Sequence, residues 1–335
     1  MTGTSPQPTG TLHVVLGASG GAGNAIARAL HEAGLRVRAV NRGGDADLPD
    51  GVERMAADIT TPDGAARALA AADVVYLAAQ PAYHRWPQEF PGMLRSVLGA
   101  TPDGATLVMV DNLYGYGPGA SPMSEDTPER ATDRKGEVRR RMTAELMAEH
   151  DSGRIRVVIG RASDYLGPRA DNSGVTALAI EPAAQGKRLR WAGSLDQPHS
   201  VAYLPDVARA YVLLGTTPEA AGRVWVLPHR PAVTGREFLA LVNAALPEPL
   251  PTGKLSTTML RLAAPFHAIS REMLAIGYQW TQPFVVDDSR FRAAFPQYQD
   301  TPLPEAVATS VSWYRNAHTP ASAAAAAPAR TTATE

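Results

Sequence analysis

The sequence predicts an α/β protein built on a doubly wound, mostly parallel sheet with a smaller C-terminal lobe, and three observations carry that prediction. Short β-branched runs alternate with stretches of helical periodicity through the first half of the chain, the pattern of a parallel sheet covered by helices. The first such run opens directly into a glycine-rich turn and a small-residue helix. After about Gly167 the alternation breaks and Pro, Gly and Trp become frequent, which marks a second lobe formed by insertions between late strands.

Taken in order, strands are predicted at Leu12–Leu16, Arg36–Val40, Val74–Ala78, Thr106–Val110, Arg156–Ile159 and Arg223–Leu227. Helices are predicted at Ala22–Ala33 (ending at Gly34), Asp63–Ala72, Glu89–Leu98, Lys135–His150, Leu204–Leu214 and Gly235–Leu246. Val307, Val311 and Tyr314 form one helical stripe near the end. The organisation that follows is a flexible leader over 1–10, a nucleotide-binding domain over 11–166 completed by about 201–228, a second lobe over 167–200 and 229–317, and a disordered tail over 318–335, which is almost wholly Ala, Thr, Ser and Pro.

Composition excludes several function classes. With 335 residues, 44% of them hydrophobic and 19% charged, the chain can bury a large core and is not globally disordered. Thirty-two basic residues against 33 acidic leave a net charge of −1, which supplies no electrostatic reason for nucleic acid or an anionic membrane as partner. The longest apolar stretch, Val201 to Gly215, is interrupted by Pro205, Asp206 and Arg209, so no membrane span is expected. The absence of cysteine removes disulfides and thiolate chemistry. Without a secretory signal at Met1–Gly10, the cytoplasm is the default location.

The first strand runs into Gly17-Ala18-Ser19-Gly20-Gly21-Ala22-Gly23, placing glycines at G-x-x-G-x-x-G between strand and helix. In a Rossmann-type unit, the first glycine permits the tight turn, the second lets backbone amides approach a pyrophosphate, and the third lets helix and strand pack closely. The second strand ends Val40-Asn41-Arg42-Gly43, with no acid where a ribose 2′-hydroxyl would be held. Arg42 suits a 2′-phosphate, so NADP is favoured over NAD. Asp58 is placed to meet the adenine amino group or to cap the following helix.

These residues resemble the extended short-chain dehydrogenase/reductase group, the NAD-dependent epimerase/dehydratase family, over Thr11 to about Arg315. Asp73-Val74-Val75-Tyr76-Leu77-Ala78-Ala79 is similar to its fourth strand, Leu113–Pro118 to its segment after strand five, Gly160–Pro168 to the one after strand six, and His199–Ala208 to the late return into the nucleotide domain. The resemblance implies that Gly17, Ser19, Gly20, Gly21, Gly23, Arg42, Asp58, Ala78, Ala79 and Gln80 hold the cofactor, and that the inserted segments form a substrate lobe.

The family's catalytic hydroxyl and its Tyr-x-x-x-Lys are both missing. Counting back from Tyr114-Gly115 gives Val110, Asp111 and Asn112, which resembles the acid-bearing version of sugar-nucleotide dehydratases, and Asp111, with Tyr114 nearby, becomes the expected acid or base. Downstream stands Lys135-Gly136-Glu137-Val138-Arg139, whose Lys135 and Arg139 share one helical face as the family's Tyr and Lys do. An alternative register resembles the isoflavone-reductase-like reductases. In either, Lys135 is expected to point at the cofactor, and desolvation beside a second cation would lower its pKa.

Gln80–Trp86 brings aromatics and His84 to the cleft rim, either for substrate or to pack the lobes together, whereas Asp171-Asn172-Ser173, Trp191 and His199 carry little weight. Asp287-Asp288-Ser289 reads as a helix cap before Phe291, and no metal is expected. The expectation is an NAD(P)-dependent oxidoreductase, epimerase or dehydratase acting by hydride transfer at a carbinol or carbonyl carbon of a small polar, sugar-like or natural-product substrate. The alternatives are a non-redox isomerase or cyclase with tightly bound cofactor, or an NADP-sensing binding protein, with a homodimer as the assembly considered.

Overall fold

In the computed structural model, residues 10–255, 258 and 276–317 are described. Leader residues 1–9 and the 318–335 tail lie outside that set. Seven parallel strands form the main sheet: β1 (Leu12–Leu16), β2 (Arg36–Asn41), β3 (Glu53–Ala56), β4 (Val74–Leu77), β5 (Thr106–Asn112), β6 (Arg156–Ala162) and β7 (Arg223–Val226), in the order β7-β6-β5-β4-β1-β2-β3. Six of these strands match the sequence prediction to within a few residues. The seventh, β3, was not predicted, because an edge strand reading Glu-Arg-Met-Ala is mostly exposed and shows no apolar period.

Helices cover both faces of the sheet, so its central strands are apolar without alternation. Successive side chains of β1 point to opposite sides: Val15 joins Ile26, Leu30, Tyr76, Val108, Val158 and Tyr211 in one cluster. Val14 and Leu16 join Leu77, Phe90, Leu94, Met109, Val138, Met142 and Leu146 in the other. The first face carries α1 (Gly21–Glu32) and α5 (Leu204–Thr216); the second carries α2 (Pro62–Leu69), α3 (Trp86–Ala100) and α4 (Arg134–Asp151). The predicted extension of α2 to Ala72 does not form, because Ala71 adopts a left-handed φ of 61°.

A third cluster gathers Leu166, Ile180, Leu189, Trp191, Phe238, Trp280, Val307, Val311 and Tyr314 from beyond the sixth strand. It is closed by the helix Leu303–Ala317, whose Tyr314 hydroxyl donates to Asp171 Oδ1 at 2.6 Å. The predicted cap before Phe291 is met in part: Asp288 stands at the N-cap position of the helix Ser289–Ala294 and Asp287 Oδ1 accepts from Ser289 N at 3.0 Å, whereas Asp288 Oδ2 accepts from the His229 backbone N–H and from Arg292 and makes no side-chain cap. Among the described residues, no acid and histidine cluster could hold a metal ion, and no helix is long and apolar enough to cross a membrane.

Candidate active site

The C-terminal ends of the strands form the ligand-binding edge of such a sheet, and the predicted nucleotide residues collect there. Gly17 has φ +88°, and a Cβ on it would meet Ala79 N at 2.6 Å, so the turn after β1 and the end of β4 can approach only with glycine at 17. Ser19 and Gly20 are exposed. Gly20 caps α1 with no side-chain hydrogen bond, and the first turn carries no acidic residue. Its amide donors and the positive end of the helix dipole therefore face no carboxylate of that turn, which suits a phosphate oxygen. A Cβ at Gly23 would collide with the Gly17 carbonyl, so helix and turn are in contact. Ala78 binds back to β1 through its N–H on Leu16 O at 3.0 Å.

At the end of β2, Arg42 is exposed, and an acid that the sequence pattern did not reveal lies beside it. Asn41 Nδ2 donates to Asp45 Oδ1 at 2.8 Å, which folds Asp45 back over the strand end. Asp58 is also exposed, and its Oδ1 accepts from Thr60 N (3.0 Å) and Thr60 Oγ1 (2.7 Å), which hold its pKa below the usual range. It shapes a turn and does not cap α2; that is done by Thr61, whose Oγ1 accepts from Gly64 N.

Asp111 differs from the expected cleft acid. In the parallel register of β5 and β6 it lies directly opposite Arg161, whose Nε donates to Asp111 Oδ2 at 2.9 Å. Arg139 Nη1 reaches Oδ1 at 3.1 Å, in ion-pair contact but without hydrogen-bond alignment. Arg161 also binds Glu129 Oε1 at 2.5 Å and Thr143 Oγ1 at 2.8 Å. Two carboxylates and two guanidiniums thus balance, with Asp111, Arg139 and Arg161 all buried. Burial opposes the charge of both arginines. In Arg161 Asp111, Tyr116 and Glu129 outweigh it and the pKa rises, whereas in Arg139 Asp111 offsets it only in part and the pKa falls. Asp111 thus lies buried between two guanidinium groups, its Oδ2 hydrogen-bonded to Arg161 and its Oδ1 in ion-pair contact with Arg139, and it anchors both. Arg139 turns inward too, stacking on Trp86 and Phe90 and touching Gln80 Oε1 at 3.4 Å.

Lys135 and Tyr114 remain at the cleft. Asp133 caps α4, its Oδ1 accepting from Lys135 N and Gly136 N, and thereby sets the rotation at which Lys135 leaves the first turn. The Lys135 ammonium stands 3.7 Å from the centre of the Tyr83 ring, which packs edge-on to Trp86 (5.0 Å) and Tyr114 (6.3 Å). Burial brings the Lys135 pKa down to about 8, against a raising contribution from Asp133. Burial pushes the Tyr83 and Tyr114 hydroxyls well up, and the negative charge of Asp164 adds to this. Tyr278, whose hydroxyl burial pushes up to about 12, lies close enough to bear on Tyr114 and completes the group.

Sequence reasoning named Lys135 with Arg139, Tyr114 with Asp111, and the segment Gln80–Trp86 at the cleft rim, without grouping Lys135, Tyr114 and Tyr83, and it missed Asp133, Tyr278, Glu129 and Thr143. Of these only Asp133 carried a local signal, an Asp ahead of a predicted helix start.

A family model for the NAD dependent epimerase/dehydratase family matches residues 13–100 and 105–227, well over half of the chain. The chain belongs to that family, which is one of enzymes. Among curated proteins, none matches the sequence. Similar solved structures include UDP-glucuronic acid 4-epimerase from Bacillus cereus in complex with NAD (17% identity, TM-score 0.74, covering 92% of this chain and 98% of that one). UDP-glucose 4-epimerase from Thermus thermophilus in complex with NAD matches at 19% identity and TM-score 0.71, covering 92% and 100%. RMD from Pseudomonas aeruginosa complexed with NADPH matches at 16% identity and TM-score 0.71, covering 92% and 98%. At these identities the likeness bears on the fold, and the epimerase/dehydratase family member described here has its own set of groups at the strand ends.

Proposed function

We propose that this chain is a nicotinamide-dinucleotide-dependent enzyme acting at a carbinol or carbonyl carbon of a small polar substrate, sugar-like or natural-product in character. It is not a nucleic-acid or membrane protein in this reading. The observation that carries it is Lys135: a desolvated ammonium with a pKa near 8, on the helix and in the register where the family's tyrosine would stand. Such a group gives and takes a proton near neutrality.

A bound nicotinamide dinucleotide would supply hydride chemistry. Gly17, Ser19, Gly20, Gly21 and Gly23 would hold its pyrophosphate, with Ala78 and Ala79 beneath and Gln80 at the edge. Arg42 favours NADP through a 2′-phosphate, opposed by Asp45, which favours the 2′-hydroxyl of NAD. Lys135 protonates or deprotonates the substrate oxygen. Tyr114, kept protonated by burial, donates a hydrogen bond to that oxygen, and Tyr83 and Trp86 wall the site. Asp111 acts through Arg139 and is a positioning residue.

Fluorescence titration with NADPH and NADH, followed by a carbonyl-substrate screen with 4-deuterated NADPH, tests the proposal. Nucleotide binding with stereospecific deuterium transfer is expected. Binding without transfer to any carbonyl substrate, or no binding, would overturn it.

A further inference from the structure

Among the described residues, His199 has two acceptors around its ring and no donor. Its Nδ1 lies 3.1 Å from the Gln279 carbonyl oxygen, and its Nε2 lies 2.9 Å from Asp164 Oδ2. A carbonyl cannot donate, so Nδ1 carries a proton. One further proton must then lie between Nε2 and the carboxylate, because two bare lone pairs at 2.9 Å would repel.

The surroundings put that proton on the imidazole. The ring is stacked between Trp280 (centroids 4.5 Å apart, planes 15° from parallel) and Phe284 (5.1 Å, 26°), and Trp191 meets it edge-on. Two aromatic faces above and below favour a cation. His229 interacts with it electrostatically, and burial keeps that ring neutral against the raising effect of its hydrogen bond to Leu227. His199 is 2% exposed, whereas Asp164 keeps 19% of its side chain exposed.

Asp164 follows β6 by two residues, so it stands at the ligand edge of the sheet. Its charge bears on both Tyr83 and Tyr114. Tyr83 thus has the Lys135 ammonium on its ring and feels the negative charge of Asp164 at its hydroxyl.

We infer that Asp164, held ionised and oriented by a doubly protonated His199, is a second proton-transfer group of the site, acting as a base from the second-lobe side. This rests on the hydride-transfer reading above and extends it. A site with a proton-moving lysine and a separate fixed carboxylate suits a reaction with a proton transfer at carbon besides the one at oxygen, as in epimerisation or elimination beside a carbonyl. In that step the C–H bond of the substrate breaks, its electron pair stays on the substrate as an enolate, and the proton passes to Asp164. His199 keeps both of its own protons.

Nitrogen-15 imidazole NMR on the full chain at pH 7 tests the pair. Wild-type His199 is expected to show both ring nitrogens protonated, and Asp164→Asn to convert it to a neutral ring while nucleotide affinity holds and the chain stays folded at the temperature of the measurement. A neutral His199 in the wild type would overturn the pair. Reaction in deuterium oxide tests the role: the wild type is expected to place non-exchangeable deuterium on product carbon, and Asp164→Asn to lose this with a fall in kcat of at least about 100-fold, the scale of general-base removal. Unchanged kcat and labelling in Asp164→Asn would overturn the role. Failure of the hydride reading looks different, since it abolishes transfer from 4-deuterated NADPH and leaves the NMR result intact.

Discussion

The ammonium of Lys135 lies 3.7 Å from the centre of the Tyr83 ring, held there by the first turn of α4 on one side and the segment after β4 on the other. An ammonium over an aromatic face keeps part of its charge stabilisation without water, which reconciles its burial with a pKa of about 8.

Lys135 is protonated below about pH 8. Carbonyl reduction, which needs its proton, should fall as pH rises through about 8, and alcohol oxidation, which needs the free amine, should rise over the same range. Lys135→Met should lower kcat at least about 100-fold and flatten both limbs. Steady-state profiles from pH 6 to 10 measure this.

Asp111, Glu129, Arg139 and Arg161 form a balanced buried set. Removing one member leaves a buried charge without its counterpart, at a cost of about 3–5 kcal/mol. Arg161→Met, which strands two carboxylates, should lower the urea midpoint more than Arg139→Met, which strands part of one. The double variant Asp111→Asn with Arg139→Met should be less destabilised than the two single effects added together.

The ribose end carries opposed charges. Arg42→Ala should weaken NADPH binding more than NADH binding, and Asp45→Ala should do the reverse, each shifting the affinity ratio by about tenfold, the scale of one charge-assisted contact. Fluorescence titration of both nucleotides against each variant gives the ratio.

His229 is buried and neutral: Ser163 N–H donates to its Nε2 at 2.9 Å, and its Nδ1 donates to Leu227 O. Burial brings its pKa from 6.5 down to about 4. The unfolded chain binds the extra proton first, so this contribution is complete above about pH 6.5 and is lost as pH falls toward about 4. The loss is on the order of 3 kcal/mol. Urea midpoints at pH 7 and 4.5 should show it, and His229→Gln, which cannot titrate there, should reduce the difference.

The closing helix packs Val307, Val311 and Tyr314 into the second lobe. A chain ending at Ala306 should be less stable than one ending at Ala317 by several kcal/mol, the usual cost of losing large buried side chains. Thermal melts of the two truncations compare them directly.

The sheet, the glycine turn and Lys135 were legible because each is written in local spacing: β-branched runs, a G-x-x-G-x-x-G, a lysine one residue inside a helix. What stayed hidden depends on partners far along the chain. Asp111 reads as a free strand-end acid until the parallel register sets Arg161 opposite it, 50 residues away. Asp45 lies past the end of β2 and counts there only because Asn41 folds it back. The partners of the His199 ring are Asp164, 35 residues upstream, and Gln279, 80 residues downstream. The edge strand Glu53–Ala56 is exposed and polar, so no apolar pattern announces it.

The order of strands in the sheet also governs how the protein can be cut and how it is made on the ribosome. When residue 162 has emerged, six of the seven strands exist, yet α5, which packs beside α1 on one face, and the edge strand Arg223–Val226 are still to come. That face would stand half covered, by α1 alone, until the segment 167–200 has been synthesised and the chain has returned. The nucleotide half therefore cannot be harvested as a free-standing module, and an exchange of 167–200 between relatives must leave the way back to α5 intact. Synthesis passes through a long interval in which an apolar sheet face awaits its cover, the interval in which a nascent chain is most exposed to misassembly.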